Sequence, residues 1–310
     1  MPFQLTLLGT NSAVPAYGRH PTAQVLQTGK SLFLLDCGEG TQMRMSQYGI
    51  SRRERIREIF ITHLHGDHIY GLPGLLTSFS LNNRTEPLTI FSPPGLREMI
   101  EAVLKYSHAW LNYEVNFAVV PTDQSVQVFE NKEVTVHTVP LEHRVPTTGY
   151  LFREKPGLAN ILPDKIAEYN IHFSKINAVK AGGDFVTAEG KIIPHAELTR
   201  PPAPPRSYAF CTDTVYSEAI IPLVKGVDLL YHETTYVAAE QEKAVKYAHS
   251  TTKDAARIAK AAAVGRLICG HFSSRYTDLS ALEAEAREVF PNSSAGIEGQ
   301  TYSVEKKRTS

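Results

Sequence analysis

Four residues able to bind metal through nitrogen or oxygen, His63, His65, Asp67 and His68, fall within six positions directly after the apolar run Ile59-Phe60-Ile61. The apolar run predicts a strand. Side chains of an extended segment alternate with period two, so His63 and His65 face the same side and can share one ion. Asp67 and His68 fall where the chain leaves the strand toward a helical segment; they point elsewhere and can hold a second ion close to the first. The pattern H-x-H-x-D-H therefore reads as half of a two-metal site. Imidazole and carboxylate together are the ligand set that suits zinc or manganese in hydrolysis.

Such a site needs further ligands from distant sequence, and three more predicted strands each end on one. Val134 to Val139 alternates as a strand should and leads through Pro140-Leu141-Glu142 to His143. Ser207 to Thr212 leads into Asp213, and Arg266 to Gly270 leads into His271. The simplest allocation gives His63, His65 and His143 to one ion and Asp67, His68 and His271 to the other. Asp213, with two carboxylate oxygens, is the natural bridge.

The elements that must position these residues form two β-rich halves, each followed by helices. Gln24 to Gln27 and Ser31 to Leu35 flank Thr28-Gly29-Lys30, a hairpin signal with glycine in the turn. Leu96 to Leu111 has the length and spacing of a helix. Thr251 to Ala263 reads as another, capped by Ser250, Thr251 or Thr252, and Leu279 to Phe290 as a third. Residues 153–206 interrupt the strands that carry His143 and Asp213. They contain two short helical patterns (Asp164 to Tyr169, Ser174 to Val179), Gly182-Gly183, a hairpin-like Phe185 to Ile193 and the cluster Pro201-Pro202-Ala203-Pro204-Pro205. This stretch is an excursion from one large α/β domain spanning 1–310.

At 310 residues and 42% apolar content the chain can bury a substantial core. It has no run of about eighteen apolar residues for a membrane span, and Met1-Pro2-Phe3-Gln4 offers no charged region ahead of an apolar stretch. The expectation is a soluble, cytoplasmic protein. Cys37, Cys211 and Cys269 are odd in number and widely spaced, which argues against a disulfide framework. Cys211 and Cys269 each precede a proposed ligand by two residues, which raises metal binding, but a small buried hydrophobe is the better reading for all three cysteines. With 32 basic and 32 acidic residues, composition does not announce a nucleic-acid partner. The basic runs Arg52 to Arg57 and Lys306-Lys307-Arg308 read as solvated surface.

The H-x-H-x-D-H run alone would also fit a thioesterase, a lactonase or a sulfatase. With His143, Asp213 and His271, however, the chain resembles the metallo-β-lactamase superfamily. Within it, the chain is similar to the ribonuclease Z family of short-form tRNA 3′-processing endonucleases. The narrower resemblance rests on Leu7-Leu8-Gly9-Thr10 with Pro15, Asp36 to Gln42, Tyr231 to Thr235 and Ala248 to Thr252. It implies an αβ/βα four-layer sandwich, with 153–206 as a flexible arm, or exosite, that holds the tRNA body. It implies two zinc ions per subunit, with manganese an alternative, a homodimer, precursor tRNA as substrate, and neither DNA nor membrane as partner. Asp67 takes the general-base role, His249 becomes the general acid with Glu233 orienting it, and Asp36 accepts from a ligand imidazole. A phosphodiesterase, esterase or lactonase acting on a small molecule is the rival reading. The chain departs from the family at Pro15-Ala16-Tyr17-Gly18-Arg19-His20. Many members there carry P-x-K-x-R-N, thought to meet the tRNA 3′ end, and here Tyr17 replaces Lys and His20 replaces Asn while Arg19 keeps a cation for a phosphate.

Overall fold

The computed structural model describes residues 2–50 and 55–306; the basic runs at 52–57 and 306–308 lie in part outside them. Strands β1 (Phe3–Gly9), β2 (Ala23–Thr28), β3 (Ser31–Leu35), β4 (Ile56–Phe60), β5 (Leu88–Ser92) and β6 (Val115–Val119) build one sheet. A second sheet begins with β7 (Gln127–Glu130), β8 (Val134–Leu141) and β9 (Thr147–Glu154). The excursion carries the short β10 (Asn160–Ile161), β11 (Phe185–Val186), β12 (Ile192–Ile193) and β13 (Thr199–Arg200). The chain then returns as β14 (Ser207–Cys211), β15 (Leu229–Glu233), β16 (Arg266–Gly270) and β17 (Ser293–Ala295), and β18 (Thr301–Ser303) closes the first sheet. The two large sheets run β18-β1-β2-β3-β4-β5-β6 and β17-β16-β15-β14-β9-β8-β7.

Within each sheet one half is parallel. Strands β3 to β6 pair in parallel in the first, and β14 to β17 in the second. The alternation of apolar residues along these strands gives each sheet an inner and an outer apolar face. The inner faces meet in a cluster rich in aromatic rings, with Phe33, Phe60 and Phe91 from one sheet against Phe129, Tyr150, Phe152 and Phe210 from the other. Phe60 stacks on Phe91 at 4.7 Å and meets Tyr150 edge-on at 5.1 Å. Such pairs contribute about 0.5–1.5 kcal/mol each beyond area burial. On the outside, helices Leu72–Leu81 and Leu96–Tyr106 cover the first sheet, and helices Thr252–Ala261 and Ser280–Val289 cover the second. The order of layers is helix, sheet, sheet, helix.

Several local expectations meet their physical limits here. The hairpin forms as β2 and β3 with Gly29 at φ 55°. The helix expected over Leu96 to Leu111 ends at Tyr106, because His108 turns left-handed at φ 51°; Leu111 packs on the same core from a loop. Helix Thr252–Ala261 is capped by Thr251, whose hydroxyl accepts from Asp254 N–H while Asp254 accepts from Thr251 N–H, a capping box. Cys37, Cys211 and Cys269 are buried and free.

By internal contacts the described chain separates into two units. One runs up to Arg153 and resumes over Ser207–Val304; the other holds Glu154–Arg206 with the chain from Glu305. The second has its own small core of Ile171, Val179, Ile193 and Leu198. At its neck Glu154 receives two bonds from the Arg206 guanidinium, at 2.8 and 2.6 Å.

Candidate metal centre

The residues expected to bind metal converge at the C-terminal ends of the parallel strands, where open α/β sheets place ligands. His63, His65, Asp67 and His68 follow β4, Asp213 follows β14, His271 follows β16, and His143 follows β8. Strand β4 stops at Phe60, so His63 and His65 lie in an extended segment beyond the sheet rather than within a strand. That segment is pinned from the second sheet: Tyr150 Oη donates to Ile61 O at 2.7 Å and Thr148 N to Thr62 O at 3.0 Å.

Asp36, Asp213 and His271 share an unusual backbone, with φ of 53°, 52° and 56°. Each turns left-handed just past its strand, a conformation that costs on the order of 1–3 kcal/mol outside glycine and gathers at functional sites. Glycine is required beside them for another reason. A Cβ at Gly270 would lie 2.0 Å from the Tyr231 hydroxyl, and one at Gly38 would lie 2.5 Å from Asp67 O.

Two groups of ligand atoms match the expected allocation, each within 4.8 Å of one another: His63, His65, His143 and Asp213, and Asp67, His68 and His271; a third group of Asp213, His249 and His271 overlaps them. Asp213 faces both. Its Oδ1 lies 3.9 Å from Nε2 of His63 and of His143, and its Oδ2 lies 3.1 Å from Nε2 of His68 and 3.3 Å from Nε2 of His271. Nε2 of His68 and Nε2 of His143 are buried without a hydrogen-bond partner among the described residues. The short His68–Asp213 approach therefore lacks the alignment of a hydrogen bond. Orphaned imidazole nitrogens around a shared carboxylate are what metal ligation needs, so the residues present fit divalent cations. Cys211 and Cys269 stay outside both groups.

The electrostatics agree. Burial would lower His68, yet the carboxylates of Asp213, Asp67 and Asp36 outweigh it and hold the ring well above its ordinary value. Burial would raise Asp67 and Asp213, but neighbouring imidazoles keep both below the usual carboxylate range. His63, dominated by burial and then by His68, stays neutral. The pocket thus draws positive charge: Asp67, Asp213 and His63 are kept deprotonated, and His68 is the ring whose proton a cation would displace.

The other nitrogen of four of the five candidate ligand imidazoles is held from behind, while His65 Nδ1 meets His63 Nε2 at 3.0 Å. His68 Nδ1 donates to Asp36 Oδ2 at 2.7 Å, and His143 Nδ1 donates to Ala248 O at 2.7 Å. His63 Nδ1 meets Thr62 Oγ1 at 3.1 Å, and Thr62 in turn donates to Asp36. His271 Nδ1 meets Thr235 Oγ1 at 2.9 Å, and Thr235 donates to Glu233 Oε2 at 2.5 Å. Glu233, fully buried, also accepts His249 Nδ1 at 2.9 Å and Thr214 N at 2.8 Å. Sequence reasoning found Asp36, Glu233 and His249. It missed Thr62, Thr235 and Ala13, whose backbone N–H donates to Asp67 Oδ2 at 2.7 Å. No residue-type signal marks a threonine or a main-chain donor for such work.

All of this opens on a cavity of about 490 Å³ lined by His65, Asp67, His143, Arg144, Asp213, His249 and His271 among others. The loop 15–20 behaves differently from expectation. The Arg19 guanidinium donates to Asn11 Oδ1 and to the carbonyls of Tyr276 and Thr277, so it ties the loop to the chain after β16 instead of offering its charge to a phosphate.

Residues 3–159 match the family model described as anti-Pycsar protein Apyc1. A ribonuclease Z of Parabacteroides distasonis is 41% identical over 97% of this chain and 99% of its own length. One of Bacteroides fragilis is 43% identical over 94% of this chain and 95% of its own. Among solved structures, the short form of human tRNase Z superposes with a TM-score of 0.69 at 27% identity, over 97% of this chain and 99% of that one. The metallo-β-lactamase fold protein YhfI of Bacillus subtilis, at TM-score 0.68 and 17% identity over 98% of this chain and all of its own, shares the architecture.

Proposed function

Since the chain belongs to the ribonuclease Z family, with residues 3–159 falling also in the Apyc1 family, and has the metallo-β-lactamase fold, we propose that it removes the 3′ trailer from precursor tRNA. The enzyme is a metal-dependent endoribonuclease that leaves a 3′-hydroxyl on the tRNA and a 5′-phosphate on the trailer. The observation that supports this most is Asp213 presenting one oxygen to His63 and His143 and the other to His68 and His271. His63, His65 and His143 would hold one zinc ion and Asp67, His68 and His271 the other, with Asp213 able to serve both; manganese suits the same ligands. When bound, the two cations supply a water acidified toward neutrality and positive charge for the scissile phosphate.

The chain's own groups move the protons. Asp67 Oδ2 is occupied by Ala13 N–H and faces His68 and His271, while Oδ1 has no hydrogen-bond partner among the described residues and accepts the proton of the attacking water. As the new P–O bond forms opposite the departing 3′-oxygen, that P–O bond breaks and the oxygen takes a proton from His249 Nε2. Glu233 fixes the ring through Nδ1. The enzyme works as a cytoplasmic homodimer, with residues 153–206 of each subunit as the arm that holds the tRNA body.

Incubation of the protein with an unprocessed tRNA transcript and zinc or manganese, with product ends mapped, tests the reading. A cut at the discriminator nucleotide, abolished by a chelator and restored by either metal, is the expected result. Hydrolysis of small esters without cleavage of the transcript would overturn it.

A further inference from the structure

Arg144 lines the catalytic cavity, and among the lining residues it is the one lysine or arginine. Its side chain is exposed, and it makes no ion pair or hydrogen bond among the described residues. Most other arginines near the site are committed: Arg19 to Asn11 and two carbonyls, Arg44 to Glu298, Arg275 to Glu240. An uncommitted guanidinium beside a site built to attack phosphodiesters is placed to meet an anion. Its planar fork suits the two free oxygens of a phosphate.

Position narrows which phosphate. The guanidinium lies within electrostatic reach of both His65 and His249. Arg144 and His143 also wall a second cavity, about 530 Å³, bounded further by Thr122, Val215 and Ala248, the residue before His249. His143 and His249 are neighbours, with ring centroids 5.1 Å apart. His143 is equally close to His65, at 5.1 Å, so the lining decides the side: Ala248 precedes His249, and Val215 also lines a further cavity that His249 itself walls, which sets the second cavity beside His249. His249 protonates the departing 3′-oxygen under the function proposed above, on which this inference rests. The nucleotide bearing that oxygen must then lie at the His249 end. Its own 5′-phosphate is the next charge along the chain in that direction.

We propose that Arg144 binds the phosphate immediately 5′ to the scissile one and so sets the nucleotide that carries the leaving oxygen against His249. Arg144 is thus a positioning residue for the substrate. The metal centre supplies the charge for the scissile phosphate, and Arg144 supplies it for its neighbour.

The test is a cycle between one side chain and one phosphate. Precursor tRNA is prepared with a neutral methylphosphonate in place of the phosphate 5′ to the cleavage site, and in a second preparation in place of the one 3′ to it. Single-turnover kcat/KM is measured for wild type, Arg144→Gln and Arg144→Lys on these and on the all-phosphate precursor. Loss of a charge-assisted contact should lower kcat/KM about ten- to a hundredfold, whether the guanidinium or the 5′ phosphate is neutralised. Neutralising both should cost little more than either alone, and Arg144→Lys should recover part of the loss. The 3′ methylphosphonate should show no such coupling. Independent, multiplying losses, coupling to the 3′ linkage instead, or full activity of Arg144→Gln would each overturn the proposal. If wild type fails to cut even the all-phosphate precursor, the endoribonuclease reading itself falls and the role of Arg144 with it.

Discussion

An imidazole can give a proton to a departing oxygen only if it holds one at the pH of the reaction. Burial alone would strip His249, but the Glu233 carboxylate at 2.9 Å outweighs it and raises the ring to about 9. In the general-acid role proposed for it, His249 works below that value and fails as pH climbs through it, so Glu233 should extend the alkaline limb of the rate profile upward. Bound cations draw the limb down in wild type and variant alike. Glu233→Gln removes the raising charge and leaves burial in command, so the alkaline limb of kcat/KM should move to lower pH by about a unit or more. An unmoved limb with a uniformly lower rate would show that Glu233 acts only by packing. Asp67→Ala removes a candidate ligand carboxylate and the proposed base together, whereas the proposed tRNA contacts are chiefly those of the arm. Cleavage should fall to below a few per cent of wild type while tRNA affinity, read by filter binding, stays within about threefold; comparable losses of both would contradict the assignment. At this scale the convergence of the candidate ligands was legible because histidine and aspartate at ligand spacing have few other reasons to sit together. Thr62, Thr235 and the N–H of Ala13 were not, because what they do follows from position alone. Nor was the left-handed turn at Asp36, Asp213 and His271, which no residue type declares.

Elements divide along similar lines. Hairpin β2–β3 and helix Thr252–Ala261 could be read from a turn glycine and a capping threonine, which are local causes. Strand β9 went unread, since Thr147 to Glu154 is made a strand by pairing with β14 across the intervening residues 155–206, not by alternation of its own. The loop 11–20 is likewise held by distant partners. Buried Glu298 accepts from Thr10 N at 3.0 Å and His20 N at 2.7 Å while paired with Arg44. This makes the loop a fixed wall. It presents Tyr17, 60% exposed, as its tip, and spends Arg19 on its own anchoring. A stacking face stands where many family members have a lysine, and the neighbouring arginine is no longer free for phosphate. Discrimination against precursors that already carry CCA should therefore be weaker than in members with the full P-x-K-x-R-N loop, or the cut should move to the far side of CCA. Matched precursors with and without CCA, with mapped ends, decide it. Strong inhibition by CCA together with a cut at the discriminator would show that this loop does not set the choice.

Across the whole molecule, the site exists because both sheets end their parallel strands at one edge of the sandwich, a convergence set by strand order that no local pattern carries. Every candidate metal ligand, from His63 to His271, belongs to the unit that holds both large sheets. The unit of Glu154–Arg206 contributes no ligand, yet has a core of its own. Its excision is structurally simple. Arg153 and Ser207 are register partners on adjacent strands β9 and β14, so a short turn can join them without moving either sheet. If this excursion is the arm that grips the tRNA body, it recognises the shape and phosphates of an already paired helix and takes no part in the chemistry. Replacing Lys155 to Pro205 by a Gly-Ser turn should then raise KM for precursor tRNA by about a hundredfold or more, the scale expected when many phosphate contacts are lost together. Hydrolysis of bis(p-nitrophenyl) phosphate, which reaches the metals without any arm, should stay within about threefold of wild type under the same conditions. Parallel losses on both substrates would mean that the segment supports the core, and an unchanged KM for precursor would remove it from tRNA binding altogether.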